Sequence, residues 1–232
     1  SGELGGQWLA ASAGEDKAAF RTLTAGLVRR MEKAGVDIRL NSAPDKNAIL
    51  SEKPDVVILA TGAHPRDLSG VDILPSPEQN GIARLFGIDV LRGARVPGRK
   101  AVVVGGRYIG MECAVRLAEQ GYETSLVEMN EIGRGVILRI RGIMFRRMME
   151  AGVRLFPSSS VFRLTRHQVE IAHGGSVFPI DADAVILAIG TVPDKSLQEH
   201  DFGVPTHVIG DCRRIGDARD AVAQGTELGL LL

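Results

Sequence analysis

This sequence of 232 residues contains few aromatic side chains, has no net charge and lacks long apolar runs. Aromatics make up 4% of it, and 28 basic side chains balance 28 acidic ones. A nucleic-acid groove needs a basic excess, so no nucleic-acid partner is expected. No apolar run approaches the ~18 residues that span a membrane, and no basic stretch followed by an apolar one marks a secretory signal, so no membrane partner is expected either.

Cysteine is also rare. Cys113 and Cys212 are far apart in the sequence and belong to no C-x-x-C pair. This spacing predicts neither a disulfide scaffold nor a metal site, and the expected compartment is the reducing cytoplasm. Glycine, in contrast, is frequent at 28 residues, which is typical of an α/β protein with many tight turns.

A repeated series of short motifs indicates two related lobes. The motifs recur in the same order, which is hard to ascribe to chance. They are Glu3–Gly5 and Glu131–Gly133, then Arg29–Val36 and Arg146–Val153, then Asp55–Pro65 (DVVILATGAHP) and Asp183–Pro193 (DAVILAIGTVP). Each copy reads as an acidic–glycine turn, an amphipathic helix, a short strand and a buried strand that ends in glycine.

The second copy is preceded by a strand (Lys100–Val104), a glycine-rich turn (Gly105–Gly110), a helix (Ile109–Gln120) and a strand that ends at Glu128. Projected back by the repeat distance, the counterpart of this turn would lie before residue 1. We therefore expect the chain to be a fragment of a longer protein, without its first nucleotide-binding βαβ unit. The alternative is a first copy that never had this unit.

Hydrophobic periodicity and turn residues predict the remaining elements. They are a helix over Glu15–Ala34, strands at Val36–Leu40 and Val56–Ala60, an irregular connector over His64–Pro97, a β-ribbon within 161–180, a strand at Val185–Ala188, a connector over Asp194–Pro205, a short strand and turn at Val208–Asp211, and a helix from its N-cap Asp217 to Leu232. Val56–Ala60 is apolar enough for burial on both faces of a parallel sheet. The alternation predicts an α/β protein with two Rossmann-like three-layer domains.

The stretch from Lys100 to Glu128 has the features of a dinucleotide pocket. The turn would place helix N–H groups against a pyrophosphate, and the Glu128 carboxylate could accept hydrogen bonds from the adenine ribose. Because this carboxylate would repel a 2′-phosphate, NAD(H) is favoured over NADP(H).

One residue of this turn departs from the G-x-G-x-x-G pattern. Arg107 occupies the second glycine position, where the missing side chain lets the backbone approach the pyrophosphate. Three interpretations remain open. The side chain obstructs the phosphates, it swings aside or pairs with a phosphate, or it is a solvated residue on a turn that binds nothing.

Taken together, these motifs resemble the flavin- and pyridine-nucleotide-binding region of the NADH:flavin oxidoreductase family, which includes 2,4-dienoyl-CoA reductase, 2-enoate reductase and trimethylamine dehydrogenase. The matching stretches are Glu3–Gln7, Pro54–Arg66, Gly98–Glu128, Ala184–Pro193 and Val208–Cys212. The resemblance implies an FAD-type domain in two segments, 1–92 and 193–232, with an NAD(P)-binding domain and its β-ribbon inserted at 93–192.

The resemblance also implies roles for single residues. On the flavin side these are a loop beside the flavin (Leu4, Gly5, Gly6 and Gln7), a turn near the FAD (Thr61 and Gly62) and a turn whose carboxylate accepts a ribityl hydroxyl (Gly210 and Asp211). For Asp211 the alternative is a turn or helix-cap carboxylate, and for Thr61–Gly62 a turn that ends a strand without binding a ligand.

On the dinucleotide side, Tyr108, Ile109 and Glu112 match the family's GGGYIGxE variant, which implies a place near the nicotinamide half of NAD. Packing is the alternative for Tyr108. The residues predicted to bind NAD are Gly105, Gly106, Arg107, Tyr108, Ile109, Gly110, Glu112, Glu128 and Gly190.

These implied roles describe the electron-input part of a larger flavoenzyme. NADH would reduce FAD, and electrons would leave toward an iron–sulfur centre and a second flavin that reduces an enoate- or dienoyl-CoA-like substrate. Such transfer depends on positioning, so no catalytic residue is predicted. FAD is expected to bind the fragment poorly, and the fragment alone to be inactive. The alternative is a nucleotide-binding or interaction module that has lost catalysis.

Overall fold

The computed structural model describes residues 2–12, 17–69, 72–73 and 82–232. The chain forms two compact units: the first contains residues 1–64 and 191–232, and the second contains residues 65–190. The second unit is thus inserted between two sequence segments of the first. Its first boundary differs from the predicted division at residue 92, because residues 83–91 form elements of the second unit.

Helices come first along the described chain, and strands then follow and alternate with further helices. The helices are α1 (Gln7–Ala11), α2 (Ala18–Lys33), α3 (Lys46–Ser51), α4 (Gly87–Leu91), α5 (Tyr108–Glu119), α6 (Leu138–Glu150) and α7 (Ala218–Leu231). The strands are β1 (Val57–Leu59), β2 (Ala63–Pro65), β3 (Asp72–Ile73), β4 (Ala83–Phe86), β5 (Lys100–Val104), β6 (Glu123–Val127), β7 (Arg154–Phe156), β8 (Ser159–Leu164), β9 (Gln168–His173), β10 (Ser176–Asp181), β11 (Ala184–Leu187), β12 (Thr191–Pro193) and β13 (Thr206–Val208).

The second unit has three layers around a five-stranded parallel sheet, ordered β4-β11-β5-β6-β7. Alternate residues of β5 enter opposite cores, because side chains of a strand point alternately to its two faces. Val103 packs with residues of α4, α5 and α6, whereas Val102 and Val104 pack with residues of the β-ribbon. The apolar β5 and β11 are therefore buried on both faces, as parallel strands usually are.

The second face of the sheet is covered by the predicted β-ribbon, in which β8, β9 and β10 pair antiparallel. Leu164, Val169 and Ile171 are fully buried there. The short strand β3 adds to this ribbon parallel to β8.

The first unit is smaller in its described part. Strands β1 and β13 pair in parallel, β2 pairs with β12, and Val57, Leu59 and Phe202 form a small core. Asp217 caps α7 through a capping box with Asp220, which agrees with its prediction as N-cap. Among the described residues, no helix is both long enough and apolar enough to cross a bilayer.

The internal repeat is visible in the backbone of the helix ends. Gly35 follows the end of α2, and its N–H donates to the Glu32 carbonyl while the Val36 N–H donates to the Met31 carbonyl. Helix α6 ends in the same way: the Gly152 N–H donates to Met149 and the Val153 N–H to Met148. Both are Schellman motifs, with the glycine in the left-handed region.

In the first unit, one predicted strand does not form, and another forms but is not buried on both faces. Val36–Leu40 forms no strand: Val36 and Leu40 are 48% and 45% exposed, and no strand among the described residues pairs with this segment. The predicted strand at Val56–Ala60 forms over Val57–Leu59, but Ile58 is 46% exposed, so it is buried on one face only.

The predicted connector over His64–Pro97 is also partly wrong. Residues 83–91 form β4 and α4, because β4 pairs with β11 at the edge of the parallel sheet. Short helices α1 and α3 were not predicted. Glu15, Pro75 and Pro77, which helped to define the predicted helix and connector, lie outside the described residues.

Candidate functional site

The glycine-rich turn lies at the carboxyl edge of the parallel sheet, between β5 and α5. Arg107 is the N-cap of α5 and makes no side-chain capping bond, and the first turn of the helix contains no acidic residue. The first N–H groups of any helix have no intrahelical acceptor, and the helix dipole makes this end positive. The N-terminus of α5 can therefore accept an anion.

Three glycines of the turn are needed for backbone packing. A Cβ on Gly105 would collide with the carbonyl oxygen of Ala188, and a Cβ on Gly110 would collide with the carbonyl oxygen of Gly105. A Cβ on Gly106 would lie 2.9 Å from the Cβ of Glu128. The turn thus brings strand, helix and Glu128 close together, the arrangement in which Rossmann-type domains hold a dinucleotide.

Glu128 is held in place by two backbone donors. Its Oε2 accepts a hydrogen bond from the Gly106 N–H at 2.7 Å, and its Oε1 accepts one from the Asn130 N–H at 2.8 Å. Each carboxylate oxygen can accept a further bond. The side chain is therefore oriented at the end of β6, next to the turn, where the sequence predicts a ribose acceptor.

The loop that follows Glu128 is anchored on the same turn, which the sequence did not indicate. The Gly133 N–H donates to the Gly106 carbonyl at 2.7 Å, and the Ile137 N–H donates to the Tyr108 hydroxyl at 3.0 Å. This supports the packing alternative for Tyr108. The one signal for this loop in the sequence is the Glu-Ile-Gly motif at Glu131–Gly133, which resembles the Glu-Leu-Gly motif at Glu3–Gly5.

The structure places the other dinucleotide residues around this edge. Arg107 is exposed, and Ile109 and Glu112 are half-buried on α5. Ile109 packs against the core that α5 shares with α4 and α6. Gly190 follows β11 with a φ of 91° and an open space at its Cβ position, and β11 lies beside β5 in the sheet.

In the first unit, the predicted flavin residues Gln7, Thr61 and Gly62 lie near the end of β1. Thr61 donates its hydroxyl to the Asp194 carbonyl at 2.9 Å, and the Asp194 N–H donates to the Gly62 carbonyl at 2.9 Å. The Gln7 side chain donates to the Ala63 carbonyl at 3.3 Å. Gln7 therefore lies beside the Thr61–Gly62 turn, although it begins α1 instead of lying in a loop.

Gly210 and Asp211 form a 3-10 turn after β13. Since β13 is parallel to β1, this turn and the Thr61–Gly62 turn are at the same sheet edge. Asp211 Oδ1 accepts a hydrogen bond from the Gly216 N–H at 3.0 Å, which agrees with the alternative role of a turn carboxylate. The Gly210 N–H donates to the Gln224 side chain at 2.9 Å, a contact that the sequence did not predict.

Asp194 carries a further contact that the sequence did not predict. Hydrogen bonds from Ser196, together with His64, whose Nε2 lies 3.1 Å from Asp194 Oδ2, hold the pKa of Asp194 below its usual value. His64 and Asp194 thus tie the Thr61–Gly62 turn more firmly to the second sequence segment of the first unit.

Both cysteines are buried, with Cys113 inside α5 and Cys212 in the 3-10 turn. Burial raises the pKa of the Cys113 thiol to about 12. The described residues contain no cluster of His, Cys, Asp and Glu able to hold a metal ion.

A parallel sheet with a glycine turn, a helix N-terminus and an anchored carboxylate at one edge defines a dinucleotide-binding domain of the Rossmann type. Comparison with known proteins gives the family. Residues 44–213 match the model of the pyridine nucleotide-disulphide oxidoreductase family, and the chain belongs to this family. Its members are oxidoreductases that use FAD and a nicotinamide dinucleotide.

Curated relatives agree with this assignment. Bilirubin reductase of Mediterraneibacter gnavus is 32% identical over 96% of this chain and 34% of that protein. NADH oxidase of Thermoanaerobacter brockii is 31% identical over 97% of this chain and 35% of that protein. Cinnamate reductase of Clostridium sporogenes is 28% identical over 98% of this chain and 34% of that protein. The chain thus spans about a third of the length of these relatives.

Among solved structures, 2-naphthoyl-CoA reductase in complex with 2-naphthoyl-CoA superimposes with a TM-score of 0.89 at 23% identity, over 100% of this chain and 35% of that chain. This likeness confirms the α/β, Rossmann-like fold class. The predicted resemblance to the flavin- and pyridine-nucleotide-binding region of NADH:flavin oxidoreductases is also confirmed.

Proposed function

We propose that this chain is the part of a larger flavoenzyme that takes electrons from NADH. The observation that supports this most strongly is the convergence of the Gly105–Gly110 turn, the N-terminus of α5 and Glu128 at one edge of the parallel sheet. Gly105, Gly106 and Gly110 keep the turn close to the sheet, so the N–H groups at the start of α5 are available to a pyrophosphate.

FAD is the proposed acceptor in the parent protein, where the first unit would supply part of its binding site. The Thr61–Gly62 turn and the Gly210–Asp211 turn lie at one edge of the β1–β13 pair, and Gln7 contacts Ala63 beside them. Gly62 and Gly210 have positive φ angles of 80° and 69° and no atom within 4 Å of their Cβ positions. The backbone of both glycines is therefore open to a ligand, which supports a place for the flavin at this edge.

When bound, the two cofactors supply hydride transfer from the dihydronicotinamide to the flavin and onward electron transfer. The residues of this chain bind and orient them, and none is assigned acid–base chemistry. The partners that receive the electrons are proposed to be an iron–sulfur centre and a second flavin of the parent protein. The names cinnamate reductase and 2-naphthoyl-CoA reductase support an unsaturated acid or acyl-CoA as final substrate.

Glu128 provides the test of the proposed site and of the preference for NADH. Titration of the 232-residue protein by calorimetry is expected to show NADH binding at least about tenfold more tightly than NADPH, since the carboxylate repels a 2′-phosphate. Glu128→Gln removes a charged acceptor, which is typically worth about 1.5–3 kcal/mol. We therefore expect this substitution to weaken NADH binding about tenfold or more and to reduce the preference over NADPH.

Glu131→Gln is the matched control, because Glu131 is exposed on the following loop and lies 3.6 Å from Arg141. It removes the same charge three residues away and is expected to leave NADH binding within about twofold. Equal binding of NADH and NADPH by the unmodified protein would contradict the coenzyme assignment. Equal losses in the two variants would show that Glu128 acts through overall charge and makes no specific contact.

One alternative function is a nucleotide-binding or interaction module without hydride transfer. It is favoured by the replacement of the second glycine of the motif with Arg107. An absorbance measurement on the parent protein distinguishes the two functions. Loss of flavin absorbance near about 450 nm on addition of NADH supports electron input, whereas NADH binding without this bleaching supports the module.

A further inference from the structure

Position 107 differs from the glycine positions of the turn because the backbone there does not require a glycine. Its φ of −93° and ψ of −163° are extended values that any residue adopts. At Gly105, Gly106 and Gly110, in contrast, a Cβ would meet protein atoms. Only the second glycine of the motif has been replaced, and a glycine at that position leaves room for the ligand instead of for protein atoms.

The Arg107 side chain lies over the loop that follows Glu128. A Cβ placed on Gly135 would be 3.3 Å from Nη2, 3.8 Å from Cζ and 3.9 Å from Nε of Arg107. Gly135 has no side chain, so it leaves space for the guanidinium beside this loop.

The guanidinium of Arg107 has no direct carboxylate partner among the described residues, and the nearby Glu128 carboxylate accepts from the Gly106 N–H instead. The first turn of α5 has no acidic residue either. A cation at a helix N-terminus is unfavourable, because it lies at the positive end of the dipole. Arg107 and the free N–H groups of α5 together form a positive site whose charge an anion would compensate.

We infer that Arg107 determines ligand specificity by pairing with the pyrophosphate of the dinucleotide. This inference rests on the proposed function. Where a glycine would permit close approach of the backbone, the guanidinium offers two parallel N–H donors to phosphate oxygens. The site then selects ligands by their pyrophosphate more strongly than a turn with three glycines does.

The inference is tested by calorimetric titration of the 232-residue protein with NADH and with ADP-ribose, which has the pyrophosphate but no nicotinamide. Arg107→Ala is expected to weaken binding of both about tenfold or more, the usual size of a charge-assisted hydrogen bond. Arg107→Lys keeps the charge without the fork, and its affinity is expected to fall between those of the unmodified protein and Arg107→Ala. Binding to the unmodified protein should also weaken more steeply with added salt than binding to Arg107→Ala.

Arg139→Ala is the matched control, because this arginine is exposed on α6 of the same unit. It is expected to change affinity less than about twofold. Unchanged or tighter binding by Arg107→Ala would overturn the inference and show that the side chain obstructs the site. A loss confined to NADPH would overturn it too, since the guanidinium would then contact a 2′-phosphate.

The same titrations separate this inference from the function on which it rests. If neither the unmodified protein nor Arg107→Ala binds NADH or ADP-ribose, the proposed dinucleotide site is wrong and the inference is wrong with it. If both bind, and Arg107→Ala binds as well as the unmodified protein, the site stands and only the role of Arg107 is refuted.

Discussion

Gly110 shows how one hydrogen atom in place of a side chain supports the site. Its Cβ position is occupied by the Gly105 carbonyl oxygen, so α5 approaches the turn as closely as its backbone allows. Gly110→Ala is expected to force the helix away from the sheet and to lower the free energy of unfolding by about 1–3 kcal/mol, the usual cost of overpacking. Urea unfolding followed by circular dichroism measures this loss.

The control for this prediction is another helical glycine. Gly142 lies inside α6 with no atom within 4 Å of its Cβ position. Gly142→Ala is therefore expected to raise the free energy of unfolding by about 0.5–1 kcal/mol, because alanine loses less backbone entropy. A Gly110→Ala protein as stable as the Gly142→Ala protein would contradict the close approach of α5.

For single residues, the sequence predicted positions in the secondary structure better than it predicted side-chain contacts. The spacing of Gly105, Gly110 and Glu128 places them at a strand end and a helix start, and the structure has them there. That the Glu128 carboxylate binds the Gly106 N–H could not be predicted, since no periodic pattern encodes a bond between a turn and a side chain. The coenzyme and flavin roles of these residues stay predictions.

At the scale of the elements, the anchoring of the loop between β6 and α6 can be tested directly. The Tyr108 hydroxyl accepts a hydrogen bond from Ile137 at the end of this loop. Tyr108→Phe removes the acceptor and keeps the ring, and loss of a bond worth about 1 kcal/mol should speed local opening about fivefold. Hydrogen exchange measured by mass spectrometry should show faster exchange in the peptide that contains Ile137.

Tyr122→Phe is the control, because the Tyr122 hydroxyl donates to the Val96 carbonyl at 2.7 Å, far from this loop in sequence. It is expected to leave exchange at Ile137 unchanged. If Tyr108→Phe leaves that exchange unchanged as well, the hydroxyl does not fix the loop. The role near the nicotinamide then becomes the better explanation for Tyr108.

Elements with a strong local pattern were predicted well, and those that depend on a partner were not. Lys100–Val104 and the β-ribbon are confirmed as strands. Val36–Leu40 has a similar apolar pattern, but no described strand pairs with it, and a lone strand has no hydrogen-bonded neighbour. Conversely, β4 forms a strand within a predicted connector because it can pair with β11.

At the scale of the whole molecule, the two repeated lobes differ in how well they bury equivalent residues. Met148 of α6 is fully buried, whereas its repeat counterpart Met31 of α2 is 37% exposed. The described core of the first unit is small, and the second unit has two larger cores on either side of its sheet. Since buried apolar area dominates stability, the first unit should be the less stable of the two.

The chain carries probes that can test this difference without any substitution. Trp8, the single tryptophan, packs on Phe20 with ring centroids 4.6 Å apart, and Cys212 is buried in the same unit. Cys113 is buried in the second unit. Burial shields this thiol and raises its pKa to about 12, so an alkylating reagent should react with it far faster once its unit unfolds.

Pulsed alkylation across a urea gradient, with the two cysteines separated by peptide mass spectrometry, is therefore expected to label Cys212 at lower urea than Cys113. The change in Trp8 fluorescence should coincide with labelling of Cys212. Raising the pH from 7 to 9 should speed labelling of either thiol once unfolded, because its pKa is then near about 8.5, while folded Cys113 stays protected. If both cysteines become reactive at one urea concentration, the two units unfold as a single cooperative structure, and the smaller core of the first does not limit its stability.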